Sequence, residues 1–294
     1  MRKLLFGCGY LGQRVADLWM ADGDEVWVVT RRRQRAKELA SDGFHPIVAD
    51  ITQPASLASL PSVATVLYAV GYDRHAGTTR REVYVDGLAN VLDSLPSAEL
   101  ARLVYISSTG VFGQADGSWV DEDSPCQPTR EGGQICLDGE QRLVSHPLGD
   151  RRIILRLAGI YGSGRVPRLE TVLSGALPRG SENAYLNLIH VDDAARTVCA
   201  AEQRATPPRL YLVSDGNPVP HGEFYREVAR LAWPGQPSGS DRPSRKRSHS
   251  SENSQRRAGS DKRVDNRRML RELGVQLEYG SYREGLSAIA CESQ

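Results

Sequence analysis

Gly7-Cys8-Gly9-Tyr10-Leu11-Gly12 follows directly on the apolar run Leu4-Leu5-Phe6, six residues from the start of the chain. Glycine is common in loops, so G-x-G-x-x-G alone says little. Its context says more. A helix pattern follows over Gln13–Met20, and a second strand, Glu25-Val26-Trp27-Val28-Val29-Thr30, comes after Gly23. A strand, a glycine turn, a helix and a strand of this length make a dinucleotide-binding unit. Gly7 allows the tight turn, Gly9 lets backbone approach a pyrophosphate, and Gly12 lets helix pack closely on strand. The helix N-terminus then offers free N–H groups to phosphate, with Tyr10 and Leu11 in the turn. The plainer alternative is an ordinary glycine-rich turn of an α/β protein.

A chain of 294 residues can bury a substantial core. Its net charge of +1 gives no support to a nucleic-acid or membrane-surface role. No stretch reaches the about 18 uninterrupted apolar residues of a membrane span, and Leu4-Leu5-Phe6 is too short for a secretory signal. Cys8, Cys126, Cys136, Cys199 and Cys291 are scattered without a C-x-x-C pair. That suits a reduced cytoplasm better than a disulfide framework or a zinc site.

Strands and helices alternate through the first half. The expected strands are Pro46–Ala49 ending at Asp50, Thr65–Val70 ending at Gly71, Leu103–Ser107 and Arg152–Leu157, with helices over about 79–94 and 134–144. Continuous apolar strands between helices predict a doubly wound parallel sheet covered on both faces. Ligands bind beyond the carboxyl ends of such strands. Gly7, Thr30, Asp50, Gly71, Ser107 and Leu157 should therefore converge on one cleft, with Ala69 beside Gly71 and Ile51 beside Asp50.

The second half is patchier. Asn187–Asp193 reads as a short strand entering a helix capped by Asp192 or Asp193, and Arg209–Val213 as a further strand before a helix near 223–232. Residues 234–261 contain eight serines and no apolar residue larger than alanine. Such a segment cannot offset its ordering entropy and reads as a disordered loop. The expected organisation is a dinucleotide-binding α/β domain over 1–165 and 186–215, with a smaller C-terminal α/β lobe from 166–185 and 216–294.

With these landmarks in place, the chain resembles the extended short-chain dehydrogenases/reductases, the NAD-dependent epimerase/dehydratase group, and within it the atypical YeeZ-like branch. The residues that carry the likeness are the glycine turn, Asp50, Tyr105-Ile106-Ser107-Ser108-Thr109-Gly110-Val111-Phe112-Gly113, Leu155-Arg156-Leu157-Ala158-Gly159-Ile160-Tyr161-Gly162, and Ile189-His190-Val191-Asp192-Asp193. The resemblance implies a Rossmann fold with a nicotinamide dinucleotide at Gly7, Gly9, Tyr10, Leu11, Gly12, Thr30, Arg31, Arg32, Asp50, Ile51, Ala69, Gly71 and Ser107. It implies a small-molecule substrate such as a nucleotide-sugar. It also implies a homodimer through the helices around strand five, with Val83, Val91 and Leu92 as apolar contacts.

In that family a serine after strand five meets the substrate oxygen, and a tyrosine with a lysine four residues later moves the proton. A cation is needed because a free phenol, with a pKa of about 10, is a poor base at neutral pH. Aligned on Glu140-Gln141, the tyrosine slot falls on Gly132 and the lysine slot on Cys136, and no tyrosine lies between Tyr105 and Tyr161. The candidates left for chemistry are Ser108, Thr109 and Tyr161. Each also has a plain structural reading, loop hydrogen bonding for the hydroxyls and core packing for Tyr161. Cys136 reads as a small helix residue.

Arg31-Arg32-Arg33 follow Thr30, where NAD-selective sites place a carboxylate, and arginines suit a 2′-phosphate. The expected cofactor is NADP, with NAD as the alternative. His190, Asp192 and Asp193 fall on different faces of a strand-to-helix turn, so no metal site is expected. The basic run Arg242–Ser248 reads as solvated loop rather than a nucleic-acid surface. The expected function is an oxidoreductase or epimerase on a small polyol or nucleotide-linked sugar, and the alternative is a non-catalytic NADP(H) sensor or scaffold.

Overall fold

In the computed structural model, which describes residues 1–174, 181–232 and 260–292, the apolar runs of the first half become strands of one sheet. The chain runs β1 (Arg2–Phe6), α1 (Gly12–Ala21), β2 (Glu25–Thr30), α2 (Arg33–Ser41), β3 (His45–Val48), β4 (Thr65–Tyr68), α3 (Gly87–Ser94) and β5 (Arg102–Ser108). It continues through β6 (Ala115–Val120), α4 (Glu131–Ser145), β7 (Arg152–Leu157), β8 (Gly159–Tyr161), α5 (Leu169–Leu173), β9 (Tyr185–Leu186), β10 (Leu188–His190) and α6 (Val191–Arg204). It closes with β11 (Arg209–Val213), β12 (Val219–Pro220), α7 (His221–Ala232), β13 (Asp261–Val264), α8 (Arg267–Leu273) and α9 (Tyr282–Glu292).

Seven strands pair in the order β11-β7-β5-β4-β1-β2-β3, all parallel. The order reverses between β1 and β4, which makes the sheet doubly wound and opens a crevice beyond β1. Side chains along each strand alternate between two cores, as a pleat requires. Leu5, Val28, Leu67, Val104 and Leu155 pack with α1 and α6 on one face. Phe6, Val29, Val66, Tyr105 and Ile154 pack with α3 and α4 on the other. A separate cluster around Tyr161, Leu188, Phe224 and Tyr282 joins β8, β10, α7 and α9.

Several elements differ from expectation. The helix preceding β5 starts with a capping box: Glu82 N donates to Thr79 Oγ1, and Thr79 N donates to Glu82 Oε2. It then passes through a π-turn, Glu82–Asp86, before α3. Helix α4 starts three residues before Gln134 because Gly133 is a contact point rather than a breaker. A Cβ there would overlap Gly110 O. The cap of α6 is His190, whose Nδ1 accepts from Asp192 N at 3.4 Å, rather than either aspartate. Val83, Val91 and Leu92 are buried in this chain's own core and are not surface contacts for a second copy. Most of the 234–261 segment, with Arg242–Ser248, lies outside the described residues, but Asp261 opens β13, which pairs in parallel with β6. No described helix is long and apolar enough to cross a membrane.

Candidate functional site

The carboxyl ends of β1, β2, β3 and β4 surround a cavity of about 490 Å³. Its floor is the glycine turn. Gly7 sits at φ +95°, where only glycine is comfortable, and a Cβ would overlap Ala69 O. Gly12 is equally constrained by Gly7 O. Gly9 is the contrast: a Cβ there would meet nothing within 4 Å, so its backbone faces open space. Helix α1 begins at this point with no acidic residue in its first turn, so the positive end of its dipole is uncompensated. Cys8, also in the wall, donates through Sγ to Gln13 Oε1 at 3.1 Å. Burial pushes its thiol up to about 11, which keeps it protonated. Tyr10 is held between Arg14 and Arg165, 4.6 and 5.5 Å from its ring, and its hydroxyl donates to Ser163 O at 3.0 Å.

Thr30, Arg31 and Arg32 line one end of the cavity, with no carboxylate at the end of β2. Asp50 lines it too, but its Oδ1 accepts from both Thr52 N and Thr52 Oγ1, at 2.9 and 2.8 Å. Ile51 touches the cavity while its side chain packs against Gly87, where a Cβ would lie 2.8 Å from Ile51 Cδ1. Ala69 and Gly71 form the wall at the end of β4.

Past the end of β5 the expected residues separate. Ser107 is buried and its Oγ donates to Glu140 Oε1 at 2.5 Å, so it turns toward α4. Glu140 in turn takes two bonds from Arg156, at 3.0 and 2.7 Å, which ties β7 to α4. Ser108 is half-buried and its Oγ accepts from Gly110 N at 3.0 Å, which leaves its own proton unassigned among the described residues. Thr109 is buried in the turn that follows. Tyr161 is wholly buried: its ring edge meets His190 and its hydroxyl donates to Ser281 O at 3.4 Å. Burial and the Asp215 carboxylate hold its phenol far above the ordinary value. Tyr161 is a core residue in this structure and does not line the cavity.

Gly132 and Cys136 lie on the first turns of α4, four residues apart, and α4 packs against the π-turn. A Cβ on Gly132 would approach Arg80 Nη1 at 3.5 Å. Burial and the charge of Glu140 push the Cys136 thiol up to about 11. Near His190, Asp192 lies 3.5 Å from its Nδ1 and accepts from Arg14 at 2.6 Å. Asp193 accepts from Glu278 N and Tyr279 N at 2.9 Å and from Arg196 at 2.7 Å. The cavity also gathers Asp73, Thr78 and Arg165, which sequence reasoning passed over. Arg165 had one available signal, its place just after the Tyr161-Gly162 landmark. Asp73 and Thr78 sit in a loop with no pattern to mark them.

A model of the NAD-dependent epimerase/dehydratase family matches residues 4–214. The chain belongs to that family. Among curated relatives, the protein YeeZ of Escherichia coli K12 is 28% identical over 198 residues, covering 67% of this chain and 66% of YeeZ. The match thus spans just under two thirds of that relative. A solved structure provisionally assigned as an NAD-dependent epimerase/dehydratase, from Methylobacillus flagellatus, is 30% identical with a TM-score of 0.76, covering 99% of this chain and 98% of the other. A double mutant of the dTDP-glucose 4,6-dehydratase DesIV of Streptomyces venezuelae, with NAD bound, superposes with a TM-score of 0.80 over 99% and 96% of the two chains. At 19% identity it shares the fold.

The cofactor class of the family is a nicotinamide dinucleotide, and the residues present fit one. Gly9 opens onto the cavity where a phosphate needs backbone contact, and Arg31 and Arg32, with no carboxylate at the end of β2 itself, edge the cavity there.

Proposed function

We propose that this family member binds NADP(H) and acts as an oxidoreductase or epimerase on a small polyol or nucleotide-linked sugar. The observation that carries the reading is the combination of an open Gly9 with Arg31 and Arg32 at the end of β2, where a carboxylate would select NAD. Gly7 to Gly12 and the α1 N-terminus would hold the pyrophosphate, Arg31 or Arg32 the 2′-phosphate, and Asp50 and Ile51 would lie against the adenine. A bound nicotinamide dinucleotide supplies hydride transfer. The chain itself must orient a carbonyl and manage its proton. We assign Ser108 to orient the carbonyl, a reading supported by its hydroxyl proton having no acceptor among the described residues.

Gly132 and Cys136 at the tyrosine and lysine slots favour a second reading, a non-catalytic NADP(H) sensor or scaffold. Titrating NADPH and NADH by calorimetry, then following nicotinamide absorbance across carbonyl and nucleotide-sugar panels, separates the two. Binding without turnover of any panel member supports the sensor, and absence of dinucleotide binding defeats both.

We place the protein in the cytoplasm, where its free cysteines would stay reduced. We also assign it a homodimer through the outer face of α4. There Val144 is exposed, and Asp138 pairs with Arg81 at 2.6 Å. A monomer in sedimentation at tens of micromolar would remove the dimer.

A further inference from the structure

Beside the cavity wall at Gly71 lies a phenol that the family alignment does not assign. Tyr84 projects from the π-turn Glu82–Asp86, a geometry that often marks functional positions because it re-aims one side chain. Its hydroxyl accepts from Tyr72 N at 2.9 Å. Tyr72 directly follows Gly71 of the cavity wall, so the phenol is fixed at the mouth of β4. Its own proton has no acceptor among the described residues.

The neighbouring tyrosines are different. Tyr68 donates to Val83 O and Tyr72 to Thr78 O, both at 3.0 Å, while Tyr105 is sealed beneath Gly139. Besides Tyr72, and the buried Tyr68 and Tyr105 near it, three further groups act on Tyr84 through their charge. They are Cys136 on α4, Arg80 one turn earlier on its own helix, and Arg165 from the cavity wall. Arg80 also stands beside Gly132 and over the Tyr72 ring at 5.3 Å. A phenol and a guanidinium therefore lie beside the two helix positions that lack a tyrosine and a lysine.

We propose that Tyr84 is the proton-transfer residue of this site and that Arg80 is its positioning cation. The proposal rests on the dinucleotide reading above. The phenol would hand its proton to a carbonyl oxygen as that oxygen takes the π-electron pair. The carbonyl carbon would gain the two-electron hydride from the dinucleotide, and water would return the proton to Tyr84. Burial raises the phenol above its ordinary value, the Tyr72 N–H opposes this, Cys136 adds to it, and Arg80 and Arg165 draw it down. The group therefore carries its proton at neutral pH and serves as a donor.

The test is a phenolate absorbance titration of wild type minus Tyr84→Phe, with saturating oxidised or reduced NADP. Phenylalanine keeps the ring, so packing is preserved. An oxidised nicotinamide ring bears a positive charge, so the Tyr84 step should lie about one pH unit lower with the oxidised form. Arg80→Gln should move that step to higher pH. Tyr84→Phe should slow hydride transfer to any accepted carbonyl by about 10²–10⁴-fold while dinucleotide binding holds. A step common to both redox forms, or one indifferent to Arg80→Gln, overturns the proposal. Failure of wild type to bind either dinucleotide overturns the underlying reading instead, and calorimetry reports that separately.

Discussion

Arg31 Nη2 lies 3.3 Å from Asp73 Oδ2, which ties the end of β2 to the loop after β4 across one end of the cavity. Both side chains are about half exposed, at 43% and 52%, so the pair itself contributes only ~0–1 kcal/mol. A charge-assisted contact to a 2′-phosphate is worth ~1.5–3 kcal/mol, so the phosphate should take Arg31 from Asp73. We predict that Asp73→Asn tightens NADPH a few-fold. Replacing Arg31 and Arg32 by glutamate should weaken NADPH more than NADH, by tenfold or more per lost contact at ~1.4 kcal/mol per decade. Equal losses for the two cofactors, read by calorimetry, would make the arginines bystanders.

The glycine turn separates binding from folding. Gly12→Ala drives a methyl into the backbone carbonyl of Gly7 and should cost ~1–3 kcal/mol of stability or more. Gly9→Ala meets no neighbour and, outside the left-handed region, should leave thermal stability within about 0.5 kcal/mol. Its methyl stands where the phosphate must approach, so dinucleotide binding should fall at least tenfold. Normal NADPH binding by Gly9→Ala would place the pyrophosphate elsewhere.

Much of this was legible in the chain. β2, β7 and β11 are apolar runs bounded by turn signals, and their limits follow from that alone. The glycine turn was legible because its context is local. β6 was not, since Ala115–Val120 has no strand pattern and is held by β13, about 145 residues away. The α4 start was hidden because Gly132 and Gly133 look like breakers until Gly110 is seen against Gly133. Asp193 resembles a helix cap, yet its carboxylate serves the Glu278 and Tyr279 N–H groups, a tertiary demand no spacing encodes. Tyr84 sits in a helix whose π-turn has no sequence signature, so its aim became visible only in three dimensions.

Ser108 and Cys136 provide a matched pair of substitutions near the end of β5. Ser108→Ala removes a hydroxyl whose proton is uncommitted among the described residues, and turnover of any accepted carbonyl should drop about 10–100-fold, ~1.4–2.7 kcal/mol of barrier. Cys136→Ala removes a thiol held protonated at neutral pH and should leave turnover within a factor of about two. A folded but inactive Cys136→Ala protein would reveal a thiol catalyst and refute this assignment.

Asp215 should make stability depend on pH in the direction opposite to most carboxylates. It is buried, its Oδ2 has no partner among the described residues, and only its Oδ1 accepts, from Asn217 N at 2.9 Å. Burial is the main cause that raises its pKa from 3.8 to about 7; the Asn217 N–H opposes the rise, and the charges of Asp193 and Glu284 add to it. A carboxyl with a raised folded value binds its proton more tightly when folded. Its contribution is therefore complete below the unfolded value and is lost as pH rises toward the folded one. Asp215→Asn keeps an acceptor for Asn217 and cannot ionise. The variant should gain on wild type as pH rises, by up to ~4 kcal/mol at ~1.4 kcal/mol per pKa unit. Urea unfolding of both proteins at about pH 4.5 and about pH 8 measures the difference, with other titrating groups cancelling between them. A stability gap that stays constant with pH would mean that Asp215 ionises freely in the folded protein.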